Sequence, residues 1–143
     1  MLLELDPARP RLLLIADDTF EEVAGLAIAH ADQSLVPLVL LGSAEGFAFR
    51  PRPSTIIVPG MPEGVIASMP MLESAGVASR LASGMGLPGC FEGSVAELAS
   101  EWLAGQLTTT LRETKLYAFG SSPLLKAAEE TARLFDLPFE SAR

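Results

Sequence analysis

Four carboxylates, Asp17, Asp18, Glu21 and Glu22, stand nearly side by side directly after the apolar run Arg11 to Ala16. Oxygen ligands crowded at a strand end suit a hard cation such as magnesium, so Asp17, Asp18 and Glu21 form one conceivable metal site. The same side chains also complement the positive end of a helix that begins there, which needs no ligand at all. Either way they repel phosphate. A dinucleotide needs small residues in such a turn, so that backbone N–H groups can approach its pyrophosphate. Gly84-Met85-Gly86-Leu87-Pro88-Gly89 matches the spelling of a dinucleotide loop. Pro88 lacks an N–H, however, and the next helix signal begins only near Ser94, so a turn explains the glycines better. Cys90 offers a thiol, but His30 is the sole imidazole in the chain and lies in a different segment, predicted on the solvated side of its helix. Gly120-Ser121-Ser122 differs from these, because it places hydroxyls and backbone N–H groups at an uncharged helix start. Thr19, Gly120, Ser121 and Ser122 are therefore the predicted cofactor-binding residues. No catalytic side chain and no metal ligand is assigned.

The elements around these residues can be read from periodicity. Arg11 to Ala16 and Val36 to Gly42 are apolar runs of the kind that form strands covered on both faces. Between them, Thr19 with Glu22 spells a capping box, and Val23, Ala24, Ala27, Ile28 and Ala31 recur at helical spacing up to the turn at Asp32-Gln33-Ser34. This strand, helix, strand order implies parallel pairing. Thr55 to Val58 reads as a short strand and Met69 to Ala75 as a short helix. Val77 to Ala82 reads as a strand whose Arg80 turns one face to solvent. Ser94 and Glu97 form a second capping box, before an apolar stripe at Val95, Leu98, Ala99, Trp102 and Leu103. Lys115 to Gly120 is a strand, and Ser121-Ser122-Pro123 opens a helix running to about Phe135 with Pro123 in its first position. The final FESA can add an edge strand. The expectation is a doubly wound α/β fold: a mostly parallel five- to six-stranded sheet with helices on both faces, residues 1–143 as a single domain and 1–10 as an N-terminal extension. Ligands of such folds sit beyond the carboxyl ends of the strands, where Asp17–Glu22, Gly84–Gly93 and Gly120–Pro123 fall.

Composition narrows the function. A net charge of −8 with two lysines, Lys115 and Lys126, leaves no basic patch for nucleic acid or an anionic membrane surface. One cysteine cannot form an internal disulfide or ligate an iron–sulfur cluster, which fits a reducing, cytoplasmic setting. No apolar stretch approaches the ~18 residues of a membrane span. Exposed Phe47, Phe49 or Met residues of the irregular stretches could supply a homo-oligomer contact.

The sequence RLLLIADDTFEEVAGLAIAHA, followed at a distance by KLYAFGSSPLLKAAEETARLFDLPFESA, resembles the nucleotide-binding module of the ferredoxin–NADP reductase superfamily. Within it the likeness is nearest to the electron-transfer subunit of dihydroorotate dehydrogenase. The family's Tyr-x-Cys-Gly-Pro-x-Pro-Met-Leu is echoed by Tyr117-Ala118-Phe119-Gly120-Ser121-Ser122-Pro123-Leu124-Leu125, and Gly89 to Val95 is similar to the segment entering its third long helix. The resemblance implies an electron-transfer module with NAD(P) as its cofactor and a separate flavoprotein as partner. No FAD or iron–sulfur cluster is expected within this chain, because the flavin barrel and the cysteine cluster of the family are not in it. Phe119 stands in place of the family's cysteine and Asp17-Asp18 in place of its glycines, so the motifs are degenerate and pyridine-nucleotide binding is expected to be impaired. The alternative is a non-catalytic module that uses the same cleft for another small ligand or a protein segment.

Overall fold

The computed structural model describes residues 3–31 and 34–142. Asp32 and Gln33 of the predicted turn lie outside the described residues. Eight strands and five helices follow along the described chain: β1 (Arg11–Ala16), α1 (Phe20–Ala31), β2 (Val36–Ser43), β3 (Arg52–Pro53), β4 (Ala67–Ser68), α2 (Pro70–Ser74), β5 (Ala78–Ser83), β6 (Phe91–Glu92), α3 (Val95–Ala104), α4 (Thr108–Arg112), β7 (Thr114–Phe119), α5 (Ser122–Leu134) and β8 (Phe139–Ala142). Six of the strands form one sheet in the order β6-β5-β2-β1-β7-β8, with every pairing parallel. The doubly wound α/β expectation holds. β3 and β4 make a separate small antiparallel ribbon.

The unbroken apolar runs of β1, β2 and β7 follow from burial on both faces. Alternate side chains point to opposite sides. Leu13, Ile15, Leu38, Leu40, Leu116 and Ala118 join a core with α3 and α5. Leu12, Leu14, Val39, Leu41, Tyr117 and Phe119 join a second core with α1 and α2. α3 lies so close to β2 that a Cβ on Gly42 would come within 2.6 Å of the Val95 Cβ. Its capping box forms as predicted, with the Glu97 N–H donating to Ser94 Oγ at 3.1 Å and the Ser94 N–H to Glu97 Oε1 at 2.9 Å.

The N-terminal segment packs on the sheet. Leu3 is buried, and the Glu4 carbonyl accepts from Lys115 Nζ at 2.6 Å and from the Tyr117 hydroxyl at 3.1 Å. Burial, then the charges of Glu140, Asp6 and Glu4, push the Tyr117 phenol up to about 12. The fold thus favours the neutral phenol. That stability is complete below the ordinary tyrosine value of 10.0 and is lost as pH rises toward the folded value. Tyr117 is the sole tyrosine, so the phenolate absorbance of the folded chain is expected to stay flat through pH 10 and rise only in stronger alkali. A titration centred at the ordinary value would contradict this packing.

Four sequence expectations are corrected. Thr55 to Val58 is no strand, because neighbouring side chains take its polar groups: the Thr55 N–H donates to Glu73, and the Ile56 carbonyl accepts from Arg80. Arg80 does not face solvent. It is 5 % exposed, since its guanidinium reaches back to the carbonyls of Ser79 and Ile56. His30 is buried as well, with Nδ1 2.8 Å from the Leu26 carbonyl one helical turn earlier. Phe47 and Phe49 are half-buried rather than exposed, and stack with each other at 4.9 Å and against Phe20 at 5.5 and 6.3 Å between ring centroids. One helix, α4, has no sequence signal because it buries no residue and so has no apolar stripe.

Candidate functional site

The strand order reverses direction at β1, whose neighbours are β2 on one side and β7 on the other. A crevice opens at such a switch point, between the loops leaving the carboxyl ends of β1 and β7. Those loops are Asp17–Thr19 and Gly120–Ser121, so the fold brings two separate predicted segments to one place.

They are joined there by the protein's own carboxylate. Asp17 Oδ1 accepts the Ser121 N–H at 3.0 Å, and Asp17 Oδ2 accepts the Ser121 hydroxyl hydrogen in a short contact. Ser121 is the N-cap of α5, its Oγ accepting the Leu124 N–H at 3.3 Å. The helix itself starts at Ser122, which places Pro123 second rather than first. A negative charge thus rests on the positive end of the α5 dipole, the kind of position at which helix N-termini bind anions. Gly120 makes the approach achievable. Its φ is +135°, and an added Cβ would overlap Asp17 Oδ1 and lie 3.1 Å from Asp17 Cγ. The crossing is braced by the backbone, with Asp17 N–H donating to Phe119 O and Gly120 N–H to Ala142 O.

Thr19 lies at the head of α1. Its φ is +49°, in the left-handed region, and its hydroxyl donates to Asp18 Oδ1 at 3.2 Å. The predicted Thr19–Glu22 capping box is therefore not formed: a cap residue must be extended to turn its hydroxyl onto the third helical amide. Its carbonyl still accepts the Val23 N–H at 3.1 Å, so the helix begins without the side-chain cap. Asp18, Glu21 and Glu22 are exposed around the mouth. Among the described residues, no three His, Cys, Asp or Glu side chains gather to hold a metal ion.

The remaining sequence motifs lie elsewhere. The glycine-rich segment turns back on the β4 region, where the Gly89 carbonyl accepts the N–H groups of Ile66 and Ala67, each at 2.9 Å, and does not open a helix. Cys90 is half-buried in the α1-side core, and burial pushes its thiol up, away from the reactive thiolate. Beside Asp17 runs a cleft of about 500 Å³ lined by Ser43, Glu45, Gly84 and Ser94. Sequence reasoning missed the Asp17–Ser121 bridge. Its only signal was an acidic residue and a hydroxyl at the ends of two strands that turn out to be adjacent.

The fold has a counterpart among solved structures. The chain is similar to the C-terminal domain of a hydrogenase from Pyrococcus furiosus, with a TM-score of 0.51 over 99% of this chain and 96% of that one. The sequences are 12% identical. This likeness is one of fold. No family model matches the sequence, and no curated protein matches it.

Proposed function

We propose that the chain is an oxidoreductase-related electron-transfer module of ferredoxin reductase-like type, working with a separate flavoprotein and impaired in pyridine-nucleotide binding. The observation that carries this reading is the Asp17 carboxylate held on the α5 N-terminus by Ser121. It puts charge where a nucleotide's phosphate would need donors, on a scaffold shared with a hydrogenase domain. In this reading Thr19, Gly120, Ser121 and Ser122 frame the inherited site, while Asp17 and the exposed Asp18, Glu21 and Glu22 repel an incoming diphosphate. Close like charges cost about 1 kcal/mol per pair in water, and more where water is partly excluded. The isolated chain is expected to give no NADH-dependent dye reduction and no NADH titration heat. Dye reduction without added flavoprotein would defeat the proposal.

A second reading, a non-catalytic module for a small non-nucleotide ligand or a protein segment, draws on the cleft beside Asp17. Two carboxylates, Asp17 and Glu45, line it, a poor lining for phosphates and a good one for donors or cations. A thermal-shift series separates the two, because a ligand that binds the folded state raises the melting temperature with the logarithm of its concentration once that exceeds Kd. A rise with a cationic ligand but none with NADH in the presence of flavoprotein favours the second.

A further inference from the structure

At the other end of the sheet, beyond the amino ends of β1, β2, β5 and β7, the protein forms a cavity of about 300 Å³ that is open to solvent on one side. Leu13, Leu38, Val58, Ala78 and Trp102 line it, and Ile57 and Leu107 also border it while remaining 87% and 74% exposed. Its outer wall is residues 57–60 of the 54–60 segment, which is bent into an arch rather than the strand its sequence suggests.

The arch is fastened on both sides of Ile57 and Val58. On one side, the Glu73 carboxylate accepts from Ser54 Oγ at 2.7 Å, the Thr55 N–H at 2.9 Å and Thr55 Oγ1 at 3.1 Å. Arg80 Nη2 donates to the Ile56 carbonyl at 2.6 Å. On the other side, the Pro59 carbonyl accepts from Trp102 Nε1 and Gln106 Nε2, each at 3.0 Å. Arg80 makes this bond from a buried position, with its Nε lacking a partner among the described residues, a costly arrangement. Partial burial raises the Glu73 carboxyl, but the hydrogen bonds from Thr55, Ser54 and Ser68 outweigh it and hold the group below its ordinary value, as an anion.

Protein interiors pack closely, and cavity walls forgo dispersion contacts that collapse would restore. Here the fastened arch resists that collapse, so the cavity is preorganised. Its lining is chiefly aliphatic and aromatic, and among the described residues the one cation at its border, Arg11, already faces Glu113 at 3.3 Å. Apolar cavities of about 150 Å³ accept a benzene ring. We propose that this cavity is a binding site for a neutral, mainly apolar compound of one or two fused rings. It lies at the opposite end of the strands from the Asp17 crevice and does not rest on the function proposed for that crevice.

The test uses the whole chain labelled with nitrogen-15 and titrated with 2-naphthol. Trp102 is the sole tryptophan, so its indole N–H gives a single signal, and that N–H is the one bonded to Pro59. A saturable shift of this signal with a Kd below about 1 mM is expected. Ala78→Leu and Val58→Phe fill the cavity and should each weaken binding at least ~10-fold, about 1.4 kcal/mol. An indole signal that does not move, or moves equally in a folded filled variant, overturns the assignment. If neither variant folds, nuclear Overhauser contacts from the naphthol ring to the Leu13 and Leu38 methyls decide it: their presence supports the site and their lack removes it.

Discussion

Gly120→Ala should cost the protein about 3 to 5 kcal/mol, combining ~1–3 kcal/mol of backbone strain with the loss of a charge-assisted contact. The strain arises because φ is +135°, a conformation that glycine adopts freely and alanine does not. The contact is lost because the new methyl would occupy the position of Asp17 Oδ1, so the carboxylate must leave Ser121. Urea unfolding measures the cost, and a double-mutant cycle shows its cause. In the Gly120→Ala background the further change Asp17→Ala should be nearly neutral, because the carboxylate is already displaced and its removal relieves the overlap. Additive costs would mean that Gly120 and Asp17 act independently, contrary to their contact.

Asp17→Ala alone should destabilise by about 2 kcal/mol, since it strips the Ser121 N–H and hydroxyl of a charged acceptor in a half-buried place. Asp17→Asn should cost less, because its amide oxygen can still accept the Ser121 N–H. The variant also exposes the end of α5. Sulfate or phosphate should then raise the melting temperature of Asp17→Ala more than that of the natural chain, each ion standing in for the missing carboxylate. Equal responses of the two proteins would show that the crevice, once vacated, is no anion site. This would remove the phosphate-site ancestry on which the proposed function depends.

The two predictions concern one contact between residues 104 positions apart in sequence. That separation explains why the contact was not legible in advance, although its surroundings were. Ser121 was readable as a helix cap because the hydroxyl and the helix it caps are neighbours. Asp17 read equally well as a partner of the helix that follows it, and local pattern offers no reason for a carboxylate to serve a different helix. Arg80 and His30 were misplaced for a related reason. Charge alone argues for solvent, but buried Arg80 has the carbonyls of Ser79 and Ile56 as acceptors, and His30 lies 2.8 Å from the carbonyl of Leu26.

What the sequence by itself determined is the ladder of elements that hydrophobic period controls: β1, α1, β2, α3, β7 and α5, and hence parallel pairing and helices on both faces. Burial on one face or two leaves a repeating mark on every residue of such an element, so a window of the chain contains the whole signal. The tertiary structure alone decided which loops meet at the strand ends, that Asp17 closes on Ser121, and that residues 54–60 arch over a cavity rather than join the sheet. Those outcomes depend on single acceptors and donors brought together by strand order, and a lone polar residue has no periodicity from which its partner could be read.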